Sequence, residues 1–465
     1  MVIDDIRARR PPAACRSWSA QGLTMQRSTP NDAAQGGCHR SGVVLVALLV
    51  GVLAAPSPAA EAVRLSAARG SIRADDARRH VATLADDAFE GREGGSRGGR
   101  AAAAYIVDEI GRLGLQPAGD DGGYLQPFGG LRNILALAPG SDPAMADELI
   151  VVGAHYDHVG YGTGENSFGP FGRVHNGADD NASGVAGLIE LMEAVQRLPT
   201  APRRPILFAF WDGEEKGLLG SRHFLRVRPA AVRGKRIMFA VNLDMIGRLR
   251  GERVEIYGAR TARGLRSAVV RANVDPRNAA GLELVFDWDI TDDSDHYPFI
   301  AAGVPTIMLH TGLHDEYHRP SDDVHTVNFA GIEPVTGLTL GLMLAIADEP
   351  QPPAFRPECR GETNAGRRQL EAPIPNAVAT HRGRWGISTR EDAADPAAPL
   401  IVRVVPETPA AAGGLLPGDR IVAIDGKAVA SQAEMMARLA TAGPRVLLDI
   451  ERRGRLTSAT LEARD

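Results

Sequence analysis

Five short segments carry histidines or carboxylates, three of them directly after apolar runs, one in a turn leading into a helix and one in a later loop. They are Gly153-Ala154-His155-Tyr156-Asp157, the turn from Asn176 to Gly184 carrying Asp179 and Asp180, Trp211-Asp212-Gly213-Glu214-Glu215, Asn242-Leu243-Asp244, and Tyr317-His318 with Asp322 behind it. Imidazole nitrogen and carboxylate oxygen suit zinc or a similar borderline divalent metal, and a carboxylate can bridge two ions. Two such ions polarise a carbonyl, supply a nucleophile from water near neutral pH and stabilise a tetrahedral oxyanion. A carboxylate that is not a ligand must still take the proton of the water and pass it to the leaving group. Adjacent Glu214 and Glu215 can divide that labour, one coordinating and its neighbour facing the water. A ligating histidine needs an acceptor on its second ring nitrogen, and Asp157 is the candidate for His155. Taken singly, a His-x-Asp or a Glu-Glu is an ordinary surface or core feature. Five in succession form a joint signal.

Such residues meet only if the elements before them end at one place. The apolar runs 149–154, 206–210, 237–242 and 306–309 are hydrophobic on both faces, as strands covered by helices must be. Between the first two, Val185, Leu188, Ile189, Met192 and Val195 form one helical stripe. Upstream, Ala102, Ile106, Ile110 and Leu113 recur at helical spacing and Gly114 sits where that helix stops. Strand and helix in alternation predict an α/β fold, an α/β/α sandwich with a mostly parallel central sheet. Ligands in such sheets gather at the carboxyl ends of the strands.

The remainder of the chain sets the boundaries. Its 465 residues are 44% hydrophobic and 23% charged, with 52 basic against 57 acidic side chains, which excludes a mainly disordered chain and argues against nucleic-acid binding. Three cysteines (Cys15, Cys38 and Cys359) allow neither a disulfide framework nor a thiolate zinc site. Residues 43–55 are an apolar run too short to cross a membrane comfortably, preceded by His39-Arg40 and followed by small residues. That pattern predicts a signal peptide region over 1–60, export to the periplasm or medium, and no stable membrane anchor. The charged leader is unusually long, and Met25 is an alternative start. Removing residues 1–60 leaves 46 basic against 54 acidic residues and one cysteine. The folded chain divides into a catalytic domain at 64–347, a proline-rich linker at 348–379 and a small β-rich domain at 380–465.

These segments resemble the zinc aminopeptidases of the aminopeptidase Y and bacterial leucyl aminopeptidase type, from about residue 70 to 347, including Phe89-Glu90-Gly91-Arg92. The resemblance implies two Zn2+ ions held by His155, Asp180, Glu215, Asp244 and His318, with Asp180 bridging. It implies Glu214 as general base, Asp157 as the aspartate behind His155, and a role for Tyr317 at the oxyanion. Asp180 is preferred to Asp179 because that pattern puts the bridge four residues before the glycine of Asp-x-x-Ser-Gly. The implied substrates are peptides with a free N-terminus. Glutaminyl cyclases, carboxypeptidases and dipeptidases share the fold and stand as alternatives. The loop 159–174 varies among such enzymes, so side-chain specificity does not carry over, and His158, His175, His223, His310, His314 and His325 match no ligand position. The 380–465 unit resembles a PDZ domain, with Trp385, Gly386 and Ile387 as the loop of a groove for a peptide or protein C-terminus. A non-catalytic protein working through that groove is the remaining alternative.

Overall fold

The computed structural model describes residues 66, 68–278, 280–375 and 383–463. The predicted signal region lies outside them. Helices α1 (Ala74–Leu84) and α2 (Arg97–Leu113) come first. The α2 stripe is as expected: Ala102, Ile106 and Ile110 are buried, Ser96 caps the first turn through Gly99, and Gly114 ends it at φ +72°. Strands β1 (Gln116–Pro117), β2 (Leu125–Phe128), β3 (Leu131–Ala138), β4 (Glu148–His155), β5 (Ile206–Trp211), β6 (Arg236–Leu243), β7 (Arg253–Tyr257), β8 (Glu283–Asp287) and β9 (Thr306–His310) make one sheet. Its order is β1-β3-β5-β4-β6-β9-β7-β8, with β2 beside β3.

The middle of the sheet is parallel, from β5 through β4 and β6 to β9. Its flanks are not: β3 runs antiparallel to β5, and β7 antiparallel to β9. The sheet is therefore mixed, with the expected parallel run confined to the strands that carry the site. Alternation along β4 shows the layering. Ile150, Val152 and Ala154 enter one core with α3 (Gly184–Gln196) and the long α7 (Phe329–Asp348). Leu149 and Val151 enter the opposite core with Phe224 of α4 (Leu219–Arg226) and Phe299 of α6 (His296–Ala301). Helix α5 (Leu265–Val274) joins the first core. Helix α3 is buried all round rather than on one stripe, because the sheet lies under it and α1, α2 and α7 close over it.

Residues 348–375 of the stretch read as a linker pack against the catalytic domain. They form α8 (Asn364–Glu371), whose Asn364 bonds Asp287 and Asp289 and whose Arg367 donates to Phe286 O. Arg356 and Arg260 both pair with Glu362. Proline content reports local stiffness but not these partners, about 75–100 residues away in sequence.

The last unit holds β10 (Ile387–Arg390), β11 (Leu400–Val404), β12 (Arg420–Ile424), β13 (Lys427–Ala428), β14 (Arg445–Arg452) and β15 (Arg455–Glu462), with short α9 (Pro409–Ala412) and α10 (Gln432–Thr441). It is an antiparallel sheet with its own core. Its β14–β15 hairpin sits on the catalytic domain: Leu284 N–H donates to Arg453 O, Asn273 to Gly454 O, and Arg266 pairs with Glu451. Trp385 is 5% exposed and donates its ring N–H to Leu439 O, so its side chain belongs to this core rather than to an open groove. Gly386, at φ +77°, leads into β10, an edge strand beginning at Ile387. Gln432 of α10 donates to Thr389 O, on that edge strand.

Candidate metal centre

Parallel registry brings the segments together. His155 ends β4 opposite Trp211, the last residue of β5, and Gly153 stands beside Asn242 of β6, which stands beside Met308 of β9. The residues following each strand therefore emerge at one edge. His155, Asp180, Glu214, Asp244 and Tyr317 all line one cleft there. Met245, Met308 and Leu313 add apolar walls, and Tyr257 and His310 add polar ones.

Asp180 is central. Its Oδ1 lies 3.4 Å from His155 Nε2, which is also 3.4 Å from Asp244 Oδ1. Its Oδ2 lies 3.1 Å from His318 Nε2, which is also 3.1 Å from Glu215 Oε2. The two oxygens of one carboxylate thus face two separate donor groups. His158, Asp180, Glu215 and His318 are close enough to share one cation, as are His155, Glu214 and Asp244. Asp180 Oδ2 and His318 Nε2 are buried without a well-formed hydrogen bond. Bare imidazole and carboxylate donors in such numbers are costly unless a cation joins them, so the residues fit zinc.

The turn that presents Asp180 is stitched to the neighbouring loops. Asp179 accepts Gly247 N–H at 2.6 Å and the Ser183 hydroxyl at 3.0 Å, and lies 3.1 Å from His314 Nε2. Asn181 accepts Gly184 and Met245 N–H and donates to Leu243 O. Asp322 accepts the N–H of both Asp179 and Asp180. Three loops carrying Asp180, Asp244 and His318 are thereby held to one another. Buried Arg92 lies beneath them, donating to Leu84, Tyr156, Asn176 and Gly177 carbonyls. Burial lowers its pKa to about 10, and Asp180, Asp322, Asp157 and Glu215 oppose that fall.

The surroundings tune each group. Burial works to raise Asp244, but His155 beside it and a 2.5 Å bond from the Ser294 hydroxyl hold it at about 2. Burial pushes Glu214 well above the usual carboxylate range, with Glu215, Asp295 and Asp244 adding to the shift and His155 opposing it. Asp157 is raised by burial and by Asp212. Its carboxylate is not the acceptor for His155: the ring Nδ1 is 3.1 Å from the Asp157 main-chain carbonyl and 3.8 Å from Oδ1. Oδ1 instead accepts Glu214 N–H at 3.1 Å. The main-chain carbonyl is the nearer acceptor, and the side chain positions the Glu214 backbone. Tyr317 stacks on His318 with ring centroids 3.9 Å apart. The 159–174 loop braces the same segment, since Ser167 and Phe168 both donate to His318 O.

Of the histidines with no expected ligand role, His158 joins the cluster, His310 lines the cleft and His314 bonds Asp179. His175 bonds Ser167, His223 stacks on Phe128 and His325 is exposed. Arg92, Ser294 and Asp322 also support the site; Arg92 and Asp322 lie beside the Phe89-Glu90-Gly91 and Tyr317-His318 motifs, whereas no motif marks Ser294.

Residues 133–343 match peptidase family M28, and residues 400–452 match the PDZ domain. The leupeptin-inactivating enzyme 1 of Streptomyces exfoliatus is 36% identical over 115 residues, 25% of this chain and 22% of that protein. Aminopeptidase YwaD of Bacillus subtilis is 25% identical over 227 residues, 47% of this chain and 45% of that one. The chain thus spans less than half the length of these two relatives. The Legionella pneumophila LapA aminopeptidase shares the fold at TM-score 0.50 and 17% identity, over 62% of this chain and 75% of that one. Residues 133–343 are accordingly a peptidase family M28 domain, and residues 400–452 a PDZ domain behind it.

Proposed function

We propose that the chain is an exported di-zinc aminopeptidase. The observation that carries this reading is the double facing of Asp180, one oxygen toward His155 and Asp244 and the other toward Glu215 and His318. His155, Asp180 and Asp244 would hold one ion, and Asp180, Glu215 and His318 the second. Zinc bound there supplies Lewis acidity toward the scissile carbonyl and lowers the pKa of water. Glu214, in the same cleft and not needed as a ligand, takes the proton of the attacking water and delivers it to the departing amine. Asp157 holds Glu214 through its main chain. The Tyr317 hydroxyl donates to the developing oxyanion, and the Met245, Met308 and Leu313 walls receive an apolar first side chain. A free N-terminal ammonium suits a cleft lined by Glu214, Asp244 and Asp293. Export rests on the apolar run at 43–55, and the PDZ domain supplies a site for a peptide C-terminus beside the catalytic unit.

Glu214→Gln tests the reading. The variant should keep its zinc and lose turnover on aminoacyl substrates by about 10²–10⁴-fold. Unchanged turnover refutes the base assignment. Fewer than two zinc ions in the parent protein refutes the two-ion site. A parallel panel of N-terminally blocked and glutaminyl peptides separates aminopeptidase from carboxypeptidase and cyclase.

A further inference from the structure

His158 lies inside the cluster, yet the reading above leaves it unused. It is completely buried, with its ring edge-on to His318 at 5.5 Å between centroids. Its Nδ1 is 3.0 Å from Glu215 Oε1 and 3.7 Å from Asp180 Oδ2. The other face of the ring is closed by the Gly177 backbone, where a Cβ would come within 2.5 Å of a ring carbon. His158 N–H is itself tied to Arg92 O at 3.2 Å. The ring is fixed in place.

Two roles fit that position, and the far nitrogen decides between them. If Nδ1 were a fourth ligand, the proton would sit on Nε2. Nε2 is buried and has no partner, so it would become an orphaned N–H, which is costly. If Nδ1 carries the proton, it donates to Glu215 Oε1 at an ordinary hydrogen-bond distance, and only a lone pair is left bare at Nε2. Orphaned N–H groups are the rarer defect in folded proteins.

We propose that His158 is a positioning residue for the metal centre: its Nδ1–H engages Oε1 of Glu215 and reserves Oε2 for the cation shared with His318 and Asp180. The proposal rests on Asp180, Glu215 and His318 being ligands of one ion. Without the donor, Glu215 is free to rotate and offer either oxygen, and the ion on that side is held less firmly. Partners of this kind are worth about 10–100-fold in metal affinity.

The test is a zinc titration of the full chain, stripped of metal, against a competing chelator. His158→Asn keeps an N–H donor close to the Nδ1 position but no imidazole, whereas His158→Phe keeps the ring shape and has no donor. His158→Asn should bind zinc within about threefold of the parent, while His158→Phe should lose about 10–100-fold at one of two sites. If Asn falls as far as Phe, His158 is a ligand and the proposal is overturned. If Phe binds like the parent, the residue is a bystander and the proposal is likewise overturned. Circular dichroism of the stripped proteins checks folding, and His158→Ala replaces Phe if the latter does not fold. Failure of the underlying reading looks different: the parent binds fewer than two ions, or Glu215→Gln leaves binding unchanged.

Discussion

Glu190 lies on α3, the helix that follows the Asp180 turn, and it is fully buried. One carboxyl oxygen accepts Arg73 N–H at 2.9 Å, and the other has no partner. Burial, with Asp76 and Glu193 adding to it, raises its pKa from 4.5 to about 8, while Arg73 N–H and Arg79 pull the other way. The native state therefore keeps a proton that the unfolded chain releases above pH 4.5. Stability is complete below that pH and falls by about 1.4 kcal/mol per unit as pH rises to about 8, a total of about 5 kcal/mol. Glu190→Gln abolishes this titration. Below pH 4.5 the variant differs by one additional buried N–H, a cost of about 1 kcal/mol. The two stability curves should cross between about pH 5 and 6, and at pH 8 the variant should lead by about 4 kcal/mol. Urea denaturation of both metal-free proteins at pH 5, 6, 7 and 8 reads the difference directly. A difference that does not change with pH, or a Gln variant less stable at pH 8, refutes the reasoning.

Asp179→Asn removes the carboxylate that ties Gly247, Ser183 and His314 together, and leaves His314 buried beside a neutral amide. Breaking a buried charged pair costs about 3–5 kcal/mol, so metal-free unfolding should shift by that order and zinc affinity should fall with it; retained affinity and stability would show that the three loops hold without this link. Gly454, at φ +79°, presses on Leu284, and a Cβ there would come within 2.3 Å of the leucine side chain. Gly454→Leu should lift the β14–β15 hairpin off the edge strand β8, and hydrogen exchange at the Leu284 amide, which donates to Arg453 O, should accelerate; unchanged protection refutes that packing.

The candidate metal-site residues were legible because each sits in a short local motif. An apolar run followed within a few residues by His155, Glu215 or Asp244 is a short pattern, and the rule that parallel strands end at a shared edge places them together. Periodicity likewise located α2 and α3 and the buried strands. Strand direction was not legible. The antiparallel placement of β3 and β7 depends on how connections cross the sheet, and hydrophobicity on both faces is the same for either direction. Composition also read 348–379 as a spacer, although Glu362, Asn364 and Arg367 bind residues of the catalytic domain.

What the sequence by itself determined was the inventory: which side chains can hold a metal and which strands must deliver them. The tertiary structure decided who supports whom. His158 meets Glu215 across 57 residues, Arg92 meets Gly177 across 85, and His314 meets Asp179 across 135. Each partner alone is an ordinary polar residue, with no period or motif to mark it. Such a bond becomes worth making only once folding has removed both groups from water, and the fold alone determines which groups then face each other.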